Sequence, residues 1–309
     1  MVWPCSIRWS ATLSATRADP EPTARLHVQT RARYLWNRLE AYHGMIYFVP
    51  EADQHYTALG LDRGMMGYFA SRVAAMGEVP AAVVVATFYN FEPQRIHRLL
   101  PEAWRRASAS SICEARLRAV DAALGRLLGE RLHAPDVAAT AALLRSVCDE
   151  CRPEGRPLYS GHAAQPWPEA PHLALWHAIT LLREYRGDGH VAALTVSEVS
   201  GCEALVMHAA TGAVPAAVLQ ATRGWNDDEW AAAVDALRRR GWLDIDGRVT
   251  ESGRHHRDEV EQRTDDLAAA PWALLTDDEA DSIASIGGEL SRTIRAAGTF
   301  GRLPNSDSL

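Results

Sequence analysis

The residues best suited to chemistry fall in two short stretches. In the first, Asp188 and His190 stand two apart, with Gly187 and Gly189 beside them. A carboxylate next to an imidazole suits proton transfer or a metal, because histidine titrates near neutral pH. Glycine lets a backbone turn sharply, so Gly187 and Gly189 read as the end of a helix that presents both groups together. The plainer reading makes Asp188, the glycines and His190 turn and capping residues, and both readings stay open. In the second stretch, His43 is followed by Tyr47, Phe48, Glu51, Asp53 and His55. Tyr42, Tyr68, Phe69, Phe88, Tyr89 and Phe91 add further rings, with Asn90 among them. Rings with a few polar groups make a pocket wall as readily as a core. The candidate catalytic residues are therefore Asp188, His190 and His43, with no reaction assigned. The candidate ligand-binding residues are Tyr47, Phe88, Tyr89, Asn90, Arg183 and Arg186.

Other chemistry finds little support. Cys148 and Cys151 form one C-x-x-C among the five cysteines Cys5, Cys113, Cys148, Cys151 and Cys202. A structural zinc needs two more ligands, and no second C-x-x-C exists, so no metal is expected. An odd cysteine count in a chain of 309 residues reads as reduced thiols in the cytoplasm. There is no phosphate-binding glycine loop, no G-x-S-x-G and no H-E-x-x-H, and no cofactor is identified. The longest apolar run, Val79 to Ala86, is too short to span a membrane and contains Pro80.

Charge sets a limit on nucleic-acid binding. The net charge is -7, and all 32 basic residues are arginine. The overall field does not draw the chain to nucleic acid, which leaves only a local basic face. Arg238, Arg239, Arg240, Arg248 and Arg254 are the candidates for such a face. The alternative is a solvated surface paired to nearby carboxylates.

An internal repeat positions these groups. Residues 74–87 and 209–222 match at ten of fourteen positions without a gap, including Gly77/Gly212, Pro80/Pro215 and Thr87/Thr222. Leu35-Trp36 echoes Leu175-Trp176 at an offset five larger, which places an insertion between His43 and Leu61. Repeats of this kind organise a whole fold. Residues 1–30 read as a disordered extension and 31–150 as a first, degenerate winged-helix-like unit. Residues 151–171 hold five prolines and read as a linker. Residues 172–301 read as a second winged-helix unit, and 302–309 as a tail. Pro80 and Pro215 suit the start of a helix, where a missing N–H costs nothing.

The clearest local pattern spans 226–267. Asn226 caps a helix whose first turn holds Asp227, Asp228 and Glu229. Arg238-Arg239-Arg240 close that helix and Gly241 ends it. Trp242 to Ile245, Asp246-Gly247 and Arg248 to Thr250 read as a short β-hairpin. A long polar helix then runs from about Ser252 to about Leu267.

This order resembles the recognition helix and wing of MarR-type winged-helix proteins. With "RGDGH" at 186–190 and "ATFYNFEP" at 86–93, the chain is also similar to a SalK-like helix-turn-helix family of actinomycetes. The resemblance implies a mainly α fold of tandem duplicated winged-helix-like units, a pseudo-dimer, with a hairpin wing in the second. It also implies a crevice between the units where small ligands bind. The function expected is a small-molecule-responsive transcriptional regulator in the cytoplasm, monomeric or homodimeric. The alternative is a biosynthetic enzyme or ligand-binding protein whose scaffold has lost DNA binding. The acidic start of the presumed recognition helix favours that alternative.

Overall fold

The computed structural model describes residues 28–300. The extension expected at 1–30 lies outside the described residues up to residue 27, and Val28 to Thr30 already belong to a helix. The tail at 302–309 lies wholly outside them. The helices of the first half are α1 (Val28–Gly44), α2 (Pro50–Thr57), α3 (Met65–Val73), α4 (Ala81–Phe88), α5 (Pro93–Arg106), α6 (Ala109–Leu128) and α7 (Pro135–Asp149). After α8 (Pro157–Ala163) come α9 (Pro171–Val196), α10 (Gly201–Ala210), α11 (Ala216–Arg223), α12 (Asp227–Arg239), α13 (Glu251–Ala269) and α14 (Asp277–Ala296).

Local chemistry explains most of these boundaries. Ser200, Asn226 and Thr276 each form a capping box with the glutamate three residues on, starting α10, α12 and α14. Pro80 and Pro215 precede α4 and α11 with nearly equal backbone angles. Gly77 and Gly212 just before them share a positive φ of 83° and 78°, which glycine reaches without strain. The stretch between His43 and Leu61 holds α2.

Two expectations are corrected here. The first is the β-hairpin wing: no β-strand forms among the described residues, and the turn carries one isolated antiparallel bridge, Leu243 to Val249. The segment between α12 and α13 makes two cross-turn backbone bonds, Asp244 N–H to Arg248 and Thr250 N–H to Trp242, on either side of that bridge. Trp242 N–H still bonds back to Leu237 in α12, and Thr250 already caps α13. An isolated two-stranded ribbon is marginal without a third strand or a covering face. α14 packs along α1 and α7 along α9, so one apolar core runs from Ala32 to Ile294. A smaller core of Val206, Leu237 and Leu243 lies under α10 and α12.

The second correction is the helix end at Gly187 and Gly189. α9 continues through both to Val196. A mid-helix glycine costs about 1 kcal/mol against alanine. At Gly189 close packing requires it: a Cβ would lie 2.9 Å from the Arg156 guanidinium and 3.2 Å from Leu267. The proline-rich stretch after α7 holds α8, which packs on α9.

Candidate functional site

α9 is the spine of the candidate site. Its buried face carries Arg183, Glu184, Arg186 and Asp188 toward a cleft of about 180 Å³. α1 supplies Trp36 and Glu40, and α3 supplies Tyr68 and Arg72. The end of α4 supplies Phe88 and the α4–α5 turn supplies Asn90 and Phe91, while Arg223 enters from the end of α11. Glu261 and Thr264 close the cleft from α13.

Charge in this cleft is heavily paired. Arg72 grips Glu184 with two nitrogens, at 2.8 and 3.3 Å. Arg183 bonds Glu184 at 2.9 Å and Glu40 at 3.2 Å. Burial opposes ionisation of Glu184, which is 1% exposed, but Arg72 and then Arg183 outweigh it and hold its pKa well below the carboxylate range. Glu40 goes the other way: burial lifts its pKa despite Arg183. Arg33 and Arg186 together hold Asp265 and Glu261.

Four polar atoms in the cleft wall have neither a hydrogen-bond nor an ion-pair partner among the described residues. They are Trp36 Nε1, Glu40 Oε2, Glu261 Oε1 and Arg223 Nε. Arg223 is 4% exposed, and its guanidinium lies over the Phe91 ring at 4.7 Å. Buried donors and acceptors are costly unless satisfied, so this wall is suited to a ligand that carries both.

Six of the nine candidate catalytic and ligand-binding residues line this cleft. Phe88, Asn90, Arg183, Arg186, Asp188 and His190 all do. Asp188 and His190 turn to different partners. Asp188 accepts the Tyr159 backbone N–H at 2.9 Å and so caps α8, while His190 meets Thr264 at 2.9 Å. Burial pushes the Asp188 carboxyl up to about 7 and the His190 imidazole down to about 3. His43 is 0% exposed and lies outside the cleft lining, stacked on Trp176 and bonded to Thr180 and Tyr47. Tyr47 receives Arg116 and stays outside the lining too. Tyr89 donates its hydroxyl to Val199 at 2.6 Å. Sequence reasoning missed Trp36, Glu40, Arg72, Arg223 and Glu261. A usable signal existed for Arg72, a lone charge within the apolar helix MMGYFASRV.

The α4–α5 and α11–α12 turns are clasped to each other. Glu92 donates its backbone N–H to Arg223 at 3.0 Å, and Trp225 donates its indole N–H to the Asn90 carbonyl at 3.0 Å. Arg95 reaches the carbonyls of Ala221 and Thr222. Glu92 caps α5, and Asn226, three residues past Arg223, caps α12. At about 3.8 Å per residue, those caps stand no more than about 17 Å apart. Paired recognition helices in successive major grooves stand about 34 Å apart. The clasped arrangement does not offer that spacing.

The proposed DNA-contacting arginines have mostly found partners at home. Arg238 donates to the carbonyls of Asp244 and Ile245, and Arg240 to that of Glu198. Arg248 pairs with Asp246, and Arg254 donates to Val249. Arg239 is exposed, without such a bond among the described residues. No group of three or more metal-ligating side chains occurs among the described residues. No single described helix is long and apolar enough to cross a membrane.

A family model described as a helix-turn-helix family matches residues 32–301, most of the chain. No curated protein and no solved structure matches it.

Proposed function

We propose, from the premise that the chain belongs to this helix-turn-helix family, that it is a regulator whose DNA contact responds to a small organic molecule held in the cleft. One observation carries the reading: the cleft wall reaches both sides of the clasp. Phe88 ends α4, Asn90 and Phe91 lie in the α4–α5 turn, and Arg223 ends α11 just before the second turn. A molecule seated there touches both sides of the clasp. It therefore has differential contacts with clasped and opened states, which is what a ligand needs to shift such an equilibrium. Aromatic rings and buried donors and acceptors in the wall suit a molecule with an apolar body and several polar groups.

A closer kinship with SalK-like and MarR-type proteins is part of the proposal. The order α9 to α13 supports it. A cytoplasmic site of action and a monomeric or homodimeric state belong to the same proposal.

Native mass spectrometry of protein purified from its host tests the ligand. A gel shift on the chain's own upstream DNA, with and without that molecule, tests the response. A shift that ignores the ligand would end the sensing role. Absence of any salt-sensitive shift would favour a second reading, a pathway enzyme or ligand-binding protein that has left DNA behind. The exposed carboxylates Asp227, Asp228 and Asp235 on α12 are what favour that second reading.

A further inference from the structure

The two helices that follow the clasped turns have opposite charge. α12 carries Asp227, Asp228, Glu229 and Asp235 against Arg238 and Arg239, a net of -2. α5 carries Arg95, Arg98, Arg105 and Arg106 against Glu102, a net of +3. The charge on α5 is also presented outward. Ile96, Leu100 and Ala103 are buried, while Gln94, His97, Arg98, Pro101 and Arg105 share the exposed face at helical spacing.

The second turn of α5 holds one cation, Arg98, that nothing among the described residues pairs with. Arg98 is exposed and makes no hydrogen bond or ion pair among the described residues. Its neighbour Arg95 has its pKa lowered, first by burial and then by the nearby cations Arg98 and Arg223. The one carboxylate there, Glu92, is already engaged by the backbone N–H groups of Gln94 and Arg95. At α12, by contrast, an approaching phosphate meets three carboxylates in the first turn, and four of the five arginines nearby are bonded to the protein itself.

We propose that duplex DNA is met by the exposed face of α5, through Arg98 with Gln94 and His97 beside it, and not by α12. This rests on the regulator reading above and names the surface that reading needs. It also removes the spacing difficulty, because a single helix needs no partner 34 Å away. Arg98 would meet a phosphate as a simple cation. Each such contact releases counterions and adds about 0.9 to the slope of log K against log salt.

The test is fluorescence anisotropy of the full chain on a labelled 30-base-pair duplex, from 50 to 300 mM salt. Arg98→Ala is expected to flatten the slope by about 0.9 and to weaken binding roughly tenfold at 50 mM salt. Arg98→Lys keeps the charge and is expected to restore the slope. Arg239→Ala is expected to change neither quantity. Both arginines are exposed, and circular dichroism checks that each variant folds. If Arg239→Ala flattens the slope and Arg98→Ala does not, the assignment to α5 is overturned while the regulator reading stands. If the unaltered chain binds no duplex at 50 mM salt, with or without its co-purifying ligand, both fall together.

Discussion

Mild acid should destabilise this protein, because it folds around neutral histidines. Burial holds His162 and His190 down to about 3, and His177 and His208 to about 4. His43 is lowered in the same way. Each sits well below the unfolded value near 6.5. Below pH 6.5 the unfolded chain therefore binds protons that the native chain does not, and stability falls as pH falls. Going from pH 7 to 5.5, each of the four costs about 1.3 kcal/mol, or about 5 kcal/mol together. Asp188 opposes them. Its native pKa of about 7 lies above the unfolded value, so its protonation stabilises the fold by roughly 1.6 kcal/mol over the same interval. The net expectation is a loss of about 3 to 4 kcal/mol, against a total stability of about 5–15 kcal/mol. Urea unfolding followed by circular dichroism at both pH values measures this directly. His162→Gln should recover about 1 kcal/mol of the difference. A stability that is flat or higher at pH 5.5 would refute the idea that these imidazoles are buried without charge.

Three further outcomes follow from named contacts. Glu184→Gln leaves Arg72 and Arg183 partly uncompensated in the cleft and is expected to cost about 3 kcal/mol in denaturant unfolding; a loss under 1 kcal/mol would contradict the pairing. Gly201→Ala places a Cβ 2.0 Å from the Tyr89 carbonyl. It should lower the melting temperature by several degrees and loosen the clasp, read as faster amide exchange at Glu92 and Asn90. Asp188→Asn removes a carboxylate whose native pKa is raised, so it should stabilise the protein at pH 8, by up to about 4 kcal/mol less the lost cap on α8, and give little benefit at pH 4. The comparison of chemical denaturation at the two pH values decides it.

Local chemistry was legible where a short stretch of chain decides the outcome. Asn226 reads as a helix cap, and it caps α12. The turns before Pro80 and Pro215 match in sequence and in backbone angle. Local rules failed where distant chain takes over. Gly187 and Gly189 read as a stop, yet α9 runs on because Arg156 and Leu267 press against Gly189. Trp242 to Thr250 alternates like a hairpin, yet α12 and α13 claim its ends. Part of the candidate site was visible because the rings around Asn90 and the charges near Arg183 stand out in composition. Trp36, Arg223 and Glu261 did not, since their meeting depends on how α1, α11 and α13 cross α9.

That crossing also explains why the cleft tolerates so much buried charge. Arg72 and Glu184 lie 112 residues apart in the chain, and Arg33 and Glu261 lie 228 apart. Neither pair forms unless its helices are already packed in register, so breaking either pair by a misregistered packing would strand a buried charge. The clasp has a different character. It is made of one backbone bond, an indole donor and the Arg95 bonds at the protein surface, contacts that release a few kcal/mol at most when broken. On the proposal that a small molecule occupies the cleft, a floor of paired charge under a weakly held pair of turns is the arrangement that would let it act on the turns without disturbing the core. Were the strengths reversed, with loose helices and a strong clasp, occupancy of the cleft would distort the spine and leave the helix-turn-helix surfaces where they were.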